Sequence, residues 1–267
     1  MARKSVRKRI FLTFVLLLGA YLTVAYVALP LAWTHHDRQP AIADLKMRTH
    51  TSQGIPGDPI NIGVVGDKAA LLRAFARAGW TPADPITLAS SLEIAESVVL
   101  HRPDATAPVS PLYFGGRKQD FAFEKQVGGS ADRRHHVRFW KADKPAREGG
   151  PLWLGSATFD RGVGFSRYTA QITHHIGPDL DAERDFVIDD LKRAGVVSEV
   201  YQISGSGPTP YGRNGEGDPY FTDGEVTVAV LRNAPAQEVA TTAPPPMYIA
   251  RKRLLFDAYR SVTHWLF

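Results

Sequence analysis

Two histidine pairs, His135-His136 and His174-His175, are the residues of this chain whose type and spacing best suit chemistry. They sit between Pro108 and Asp185, a stretch that also carries Arg117, Asp120, Glu124, Arg134, Arg138, Asp160, Arg161, Asp179 and Asp181. Apolar residues alternate around them, as in Arg134-His-His-Val-Arg-Phe-Trp140 and Trp153-Leu-Gly-Ser-Ala-Thr-Phe-Asp160. So many polar groups on a sheet cost free energy unless they pair or face a cleft. Side chains alternate across a strand, so one histidine of each pair can meet on a shared face. With Asp160, Asp179 or Asp181 beside them, that makes a two-histidine-plus-carboxylate set of the kind that holds zinc or another divalent metal. The competing reading has each histidine bonded to its own backbone or carboxylate neighbour, and no His-Glu-x-x-His spacing argues against it.

The arginines carry the same ambiguity. Arg117, Arg133, Arg134, Arg138 and Arg161 offer planar donors for a carboxylate, a phosphate or a lipid headgroup. They can equally be held by Asp120, Glu124, Asp160 and Asp181. Coupling is expected between Arg138 and Asp160, or more generally between Asp160 and a basic cluster that includes Arg133 and Arg134. Ser110, Ser156 and Ser166 coexist with histidine, but no Gly-x-Ser-x-Gly elbow presents any of them as a nucleophile. The chain has no cysteine, which removes thiolate metal sites, a cysteine nucleophile and disulfides.

The elements that must position these residues read as α+β, with helices packed on a mostly antiparallel sheet. Asp58 to Val65 reads as a buried strand. Gly63-Val-Val-Gly66 lacks the patterns of a phosphate loop and reads as a tight strand-to-helix turn. Asp67 caps a helix whose Leu71, Leu72, Phe75 and Ala78 share one face, and Gly79 ends it. Ser90-Ser-Leu-Glu93 is a capping box that opens a second helix. Period-two runs at 113–124, 135–140, 152–159 and 168–176 predict four strands. Asp179 or Asp181 caps a helix to Ala194, and strands follow at 196–204 and 225–231. The segment Gly205 to Gly224 reads as a long loop, functional or disordered.

The flanks point to a membrane. Residues 10–29 carry no charge and are long enough to span a hydrocarbon core. Arg3, Lys4, Arg7, Lys8 and Arg9 precede them, which places the N-terminus in the cytoplasm and the body outside, in the periplasm of a Gram-negative cell. A cleaved signal peptide is the alternative, but the apolar run is long for one and no small-x-small site follows. This divides the chain into a basic N-terminus at 1–9, an anchor at 10–33, a connector at 34–57, a domain at 58–231, a Pro/Ala linker at 232–246 and an amphipathic helix at 247–267. In that helix Leu254, Leu255, Ala258, Val262, Trp265 and Leu266 share a face, with Arg251, Lys252 and Arg253 beside it, which suits a bilayer surface or a packing partner. The net charge of +5 comes from 32 basic and 27 acidic residues, with much of the excess at the N-terminus, and it excludes a broad nucleic-acid face.

The ordered blocks Gly116-Arg117-Lys-Gln-Asp120-Phe-Ala-Phe-Glu124, Arg134-His-His-Val-Arg-Phe-Trp140, Ala157-Thr-Phe-Asp160-Arg161-Gly-Val-Gly164, Thr173-His174-His175-Ile176 and Asp179-Leu-Asp181-Ala-Glu183-Arg184-Asp185 resemble the LssY C-terminal domain. The resemblance covers about residues 58–231. It implies a bacterial protein connected with type I secretion, of a family without an established activity or defined catalytic residues. Many members carry this domain after a multi-pass membrane region similar to DedA or PAP2-type lipid phosphatases, whereas this chain has one apolar span. Two functions follow as expectations. One is a membrane-anchored accessory that binds a secretion or envelope partner or an envelope ligand. The other is a periplasmic hydrolase, metal-dependent in one version, acting on phosphorylated lipid or glycan.

Overall fold

The computed structural model describes residues 2–28, 42, 45–83, 111–128, 133–170, 172–237 and 239–263. The helix expected from Ser90 lies outside them, as do Trp265 and Leu266. The chain divides into two units, Met1–Gln39 and Pro40–Phe267. The first contains helix α1, Ala2–Thr23, which runs on as a π-helical turn, Val24–Ala28. Its segment Val6–Ala28, whose most apolar 18 residues have a mean hydropathy of 2.3, is long and apolar enough to cross a membrane, as signal sequences also are.

The second unit begins with β1 (Arg48–His50), β2 (Pro56–Pro59) and β3 (Ile62–Val65), followed by helix α2 (Lys68–Arg77) and β4 (Thr81–Pro82). Then come β5 (Tyr113–Phe114), β6 (Arg117–Lys118), β7 (Phe121–Gln126), β8 (Arg134–Lys141), β9 (Leu152–Phe165) and β10 (Ile172–Ile176). Helix α3 (Leu180–Arg193), β11 (Val197–Ser204), β12 (Thr209–Arg213), β13 (Pro219–Thr222), β14 (Glu225–Leu231), β15 (Thr241–Thr242) and helix α4 (Met247–Thr263) complete it. Among the described residues, a nine-stranded sheet runs β15-β11-β14-β3-β9-β8-β7-β4, with β10 also paired to β9. In that sheet only β14–β3 and β11–β15 are parallel. The fold is α+β, as the alternating pattern predicts. The expected 205–224 loop instead contains the β12–β13 hairpin.

Alternation gives the sheet two different faces. On one, Ile62, Val64, Phe123, Val137, Phe139 and Ala157 pack against Leu71, Leu72 and Phe75 of α2 and Val187, Ile188 and Leu191 of α3. Burying one such side chain is worth ~1.5–3 kcal/mol. Both helices start and stop where sequence chemistry dictates. The Asp67 carboxylate accepts the Ala70 N–H at 2.6 Å, and Asp179 accepts that of Ala182 at 3.0 Å. Gly79 and Gly195 end them at φ of 80° and 70°, where a side chain would be strained. On the other face, Trp140, Leu152, Leu154, Tyr201, Ile203 and Val228 form a second core with Leu112 and Phe114. A small sheet, β2-β1-β5-β6, supplies Phe114 to that core. Arg134, His136 and Arg138 of β8 and Ser156, Thr158 and Asp160 of β9 lie on this second face.

A buried polar row as the candidate functional site

β8 and β9 pair antiparallel with Arg134 opposite Asp160, His136 opposite Thr158 and Arg138 opposite Ser156. Period two puts all six side chains on one face. Each is buried: Arg134 is 0% exposed, His136, Ser156 and Thr158 are 1%, Asp160 is 4% and Arg138 is 8%. The register therefore gives Asp160 to Arg134, four residues along from Arg138. Arg134 Nε donates to Asp160 Oδ2 at 2.9 Å, and its Nη1 donates to Glu124 Oε2 on β7 at 2.8 Å. Its Nη2 lies 3.5 Å from both ring nitrogens of His174. A fully buried guanidinium is thus held between two carboxylates.

The far end of the row is less completely satisfied. Among the described residues, four of its buried atoms have no hydrogen-bond partner: His136 Nε2, Arg138 Nε, Ser156 Oγ and Asp58 Oδ1. Asp58, on β2, interacts electrostatically with Arg138, and Asn214 hydrogen-bonds its carboxylate. Burial raises the Asp58 pKa, and Arg138 opposes that shift. Burial also lowers the His136 pKa well below that of free histidine, with Arg138 and Arg134 adding repulsion. His136 is therefore neutral, with Nδ1 3.9 Å from Asp160 Oδ2, beyond hydrogen-bond range.

The remaining expected site residues disperse. His135 points to the helical face, where its Nδ1 meets Glu183 at 2.8 Å and its ring stacks on Phe186. His175 Nδ1 lies 2.7 Å from Asp218 Oδ1, and Arg161, half exposed, is 3.9 Å from the same oxygen. Arg117 is exposed, donates to the Lys141 carbonyl at 2.5 Å and lies 3.9 Å from Asp120, which also accepts the Lys141 N–H. Asp179 caps α3. Asp181 accepts from Thr222 Oγ1 at 2.6 Å and the Asp223 N–H at 2.7 Å; burial raises its pKa to about 6.

These positions divide the metal set that the histidine pairs suggest. One member of each pair, His136 and His174, gathers near Arg134, whose positive charge repels a cation there. The other two have their own carboxylates. Among the described residues, no three of His, Asp and Glu are grouped to hold a metal ion. A cavity of about 530 Å³ lies beside Arg77, Lys192, Arg193, Pro235 and Val239 and involves none of the expected site residues.

The family model for the LssY C-terminus matches residues 41–226. The chain belongs to the LssY C-terminal family. No curated protein and no solved structure matches it. The family match spans every member of the row, and also Asp58 and Asp218. Sequence reading misses Asp58, Asn214, Asp218 and Glu183 as members of these clusters. Asp218 sits in the 205–224 segment, whose main sequence signal is its length. The alternations Arg134, His136, Arg138 and Ser156, Thr158, Asp160 within apolar strands are the local signals that point to a polar row.

Proposed function

We propose that this chain is a single-pass protein of a bacterial inner membrane, with its N-terminus in the cytoplasm and its LssY-type body in the periplasm. The body serves as a binding accessory of the envelope, in the setting of type I secretion. The orientation is supported by Arg3, Lys4, Arg7, Lys8 and Arg9 ahead of the apolar span. The accessory role rests on one observation: the buried cations and carboxylates of the row neutralise each other, Arg134 with Asp160 and Glu124 above all. Groups so occupied hold a surface in shape; they are poorly placed to attack a substrate.

A second reading, a hydrolase of phosphorylated lipid or glycan, is favoured by a different observation. Ser156 Oγ and His136 Nε2 are both unpartnered on one face of neighbouring strands, with Asp160 beyond His136 Nδ1. Those are the residue types of a nucleophile relay, but the 3.9 Å gap and the Arg134 contact leave the relay unformed.

One experiment separates the two. A deletion strain is complemented with Ser156→Ala or Arg138→Gln, and export of a type I substrate is measured alongside protein level. The accessory role predicts full export with Ser156→Ala and loss with Arg138→Gln at normal protein level. Loss of export with stable Ser156→Ala would overturn it in favour of the hydrolase. Full export with both variants would remove the row from the function.

A further inference from the structure

Helix α4 is built the wrong way round for a helix that only covers its own domain. Its inward arc carries Ile249, Lys252, Arg253, Phe256 and Arg260. Ile249 and Phe256 are buried. Lys252 Nζ lies 2.8 Å from Glu225 Oε1 and donates to Ser204 Oγ at 3.1 Å. Arg253 donates to Asp223 Oδ2 at 3.0 Å and Gln202 Oε1 at 3.2 Å. The Arg260 guanidinium stacks over the Phe221 ring, and the Tyr211 hydroxyl meets Thr263 Oγ1 at 2.6 Å. Two of the three basic residues expected beside an outward apolar face, Lys252 and Arg253, instead clamp the helix to the body.

The outward arc is largely apolar. Met247, Leu254, Leu255 and Val262 are 68%, 69%, 62% and 67% exposed. Ala250 and Ala258 are exposed among them, Arg251 is the cation within the stripe, and Asp257 and Ser261 lie at its margin. Their spacing of three, four and seven residues makes one continuous face. A face of this kind, fixed in direction by three basic anchors on its reverse side, marks an interaction surface.

We propose that this outward face of α4 lies in the interface of a lipid bilayer with anionic headgroups. This deepens the membrane-anchored reading and rests on it. A bilayer is favoured over a protein partner because the chain also carries an apolar helix suited to one, Val6–Ala28. The apolar helix and the body are one covalent chain, so a bilayer that holds the helix also tethers the body. Large aliphatic residues with an arginine among them suit the boundary between acyl chains and phosphates, because the long arginine stem lies along the apolar surface while its head reaches the headgroups. Burial of Leu254, Leu255 and Val262 adds apolar contact, and Arg251 adds attraction to anionic lipid.

The absence of cysteine makes the test direct. Full-length protein with Leu254→Cys, Val262→Cys or, as a control, Asp143→Cys is labelled with an environment-sensitive fluorophore. Each is reconstituted into phosphatidylethanolamine–phosphatidylglycerol vesicles. Flotation with the vesicles confirms the anchor independently; failure to float sinks the anchored reading itself. In floating protein, the labels at 254 and 262 should emit to the blue of the label at 143. Nitroxide-bearing lipids should quench them severalfold more strongly. Replacing phosphatidylglycerol by phosphatidylcholine should reduce that quenching. Water-like emission at 254 and 262 in floating protein overturns the proposal. Blue-shifted emission without lipid quenching, together with disulfide cross-linking between copies of unlabelled Leu254→Cys, also overturns it and assigns the face to a second copy of the chain.

Discussion

At the scale of single residues, the row is organised by Arg134. Its guanidinium is fully buried, so each carboxylate that holds it replaces a water it cannot reach. Asp160→Asn leaves Glu124 to pair with it and should cost about 1–3 kcal/mol, a loss of roughly 5 °C in Tm. Arg117→Ala, at an exposed arginine, should cost less than ~1 kcal/mol. Thermal unfolding of the full chain in detergent, followed by tryptophan fluorescence, checks both. His136 gives a pH signature. Its folded pKa is lowered, so unfolding takes up a proton below the free histidine value of 6.5. The stability due to neutral His136 is complete above that value and is lost as pH falls below it. His136→Gln should therefore lose less Tm than the parent between pH 7 and pH 5. Equal slopes would show that His136 charges freely in the folded protein. The row is half legible in the sequence. Arg134, His136, Arg138 and Asp160 stand out by type, but their pairing depends on a register that no local pattern sets. Asp58 and Asp218 arrive from distant elements.

At the scale of elements, helices α2 and α3 and strands β8, β11 and β14 are legible because caps and periods are local, whereas the run expected at 113–124 divides into β5, β6 and β7 and that at 168–176 begins at Ile172. Asp67, Asp179, Gly79 and Gly195 mark helix ends by short-range chemistry. The β12–β13 hairpin is not legible. Thr209-Pro-Tyr-Gly-Arg213 lacks alternation, and the hairpin is held from outside, by the Phe221 N–H to the Pro178 carbonyl at 2.8 Å and by Asp181 accepting from Thr222 and Asp223. The same region ends under α4, where burial raises the Glu225 pKa to about 7 despite Lys252. A raised carboxyl binds its proton more tightly when folded. Its contribution is complete below the free value of 4.5 and is lost as pH rises through about 7. Glu225→Gln should therefore gain on the parent in Tm from pH 5 to pH 8, the opposite direction to the His136 effect. A difference that does not vary with pH would mean that Glu225 stays ionised beneath the helix.

At the scale of the whole molecule, one apolar helix and one LssY-type body share a chain in which the sign of charge is unevenly placed. The N-terminal basic residues precede the span closely, and charges so near a span set its orientation because their transfer across the bilayer is strongly disfavoured. The body contains no cysteine, so an oxidising compartment imposes nothing on its folding. The Arg134 guanidinium of its polar row is internal and paired with Asp160 and Glu124, on whichever side of a membrane the body lies. These points support the proposed export of the body with the helix retained. Alkaline phosphatase fused after Phe267 should be active, and a cytoplasm-dependent fluorescent protein at the same position should be dark. Both reporters should sediment with membranes after alkaline carbonate washing. The reverse pattern of reporter activity would invert the topology. An active phosphatase on a shortened, soluble chain would instead show that the span is removed as a signal, and the bilayer contact assigned to α4 would then have no tether to assist it.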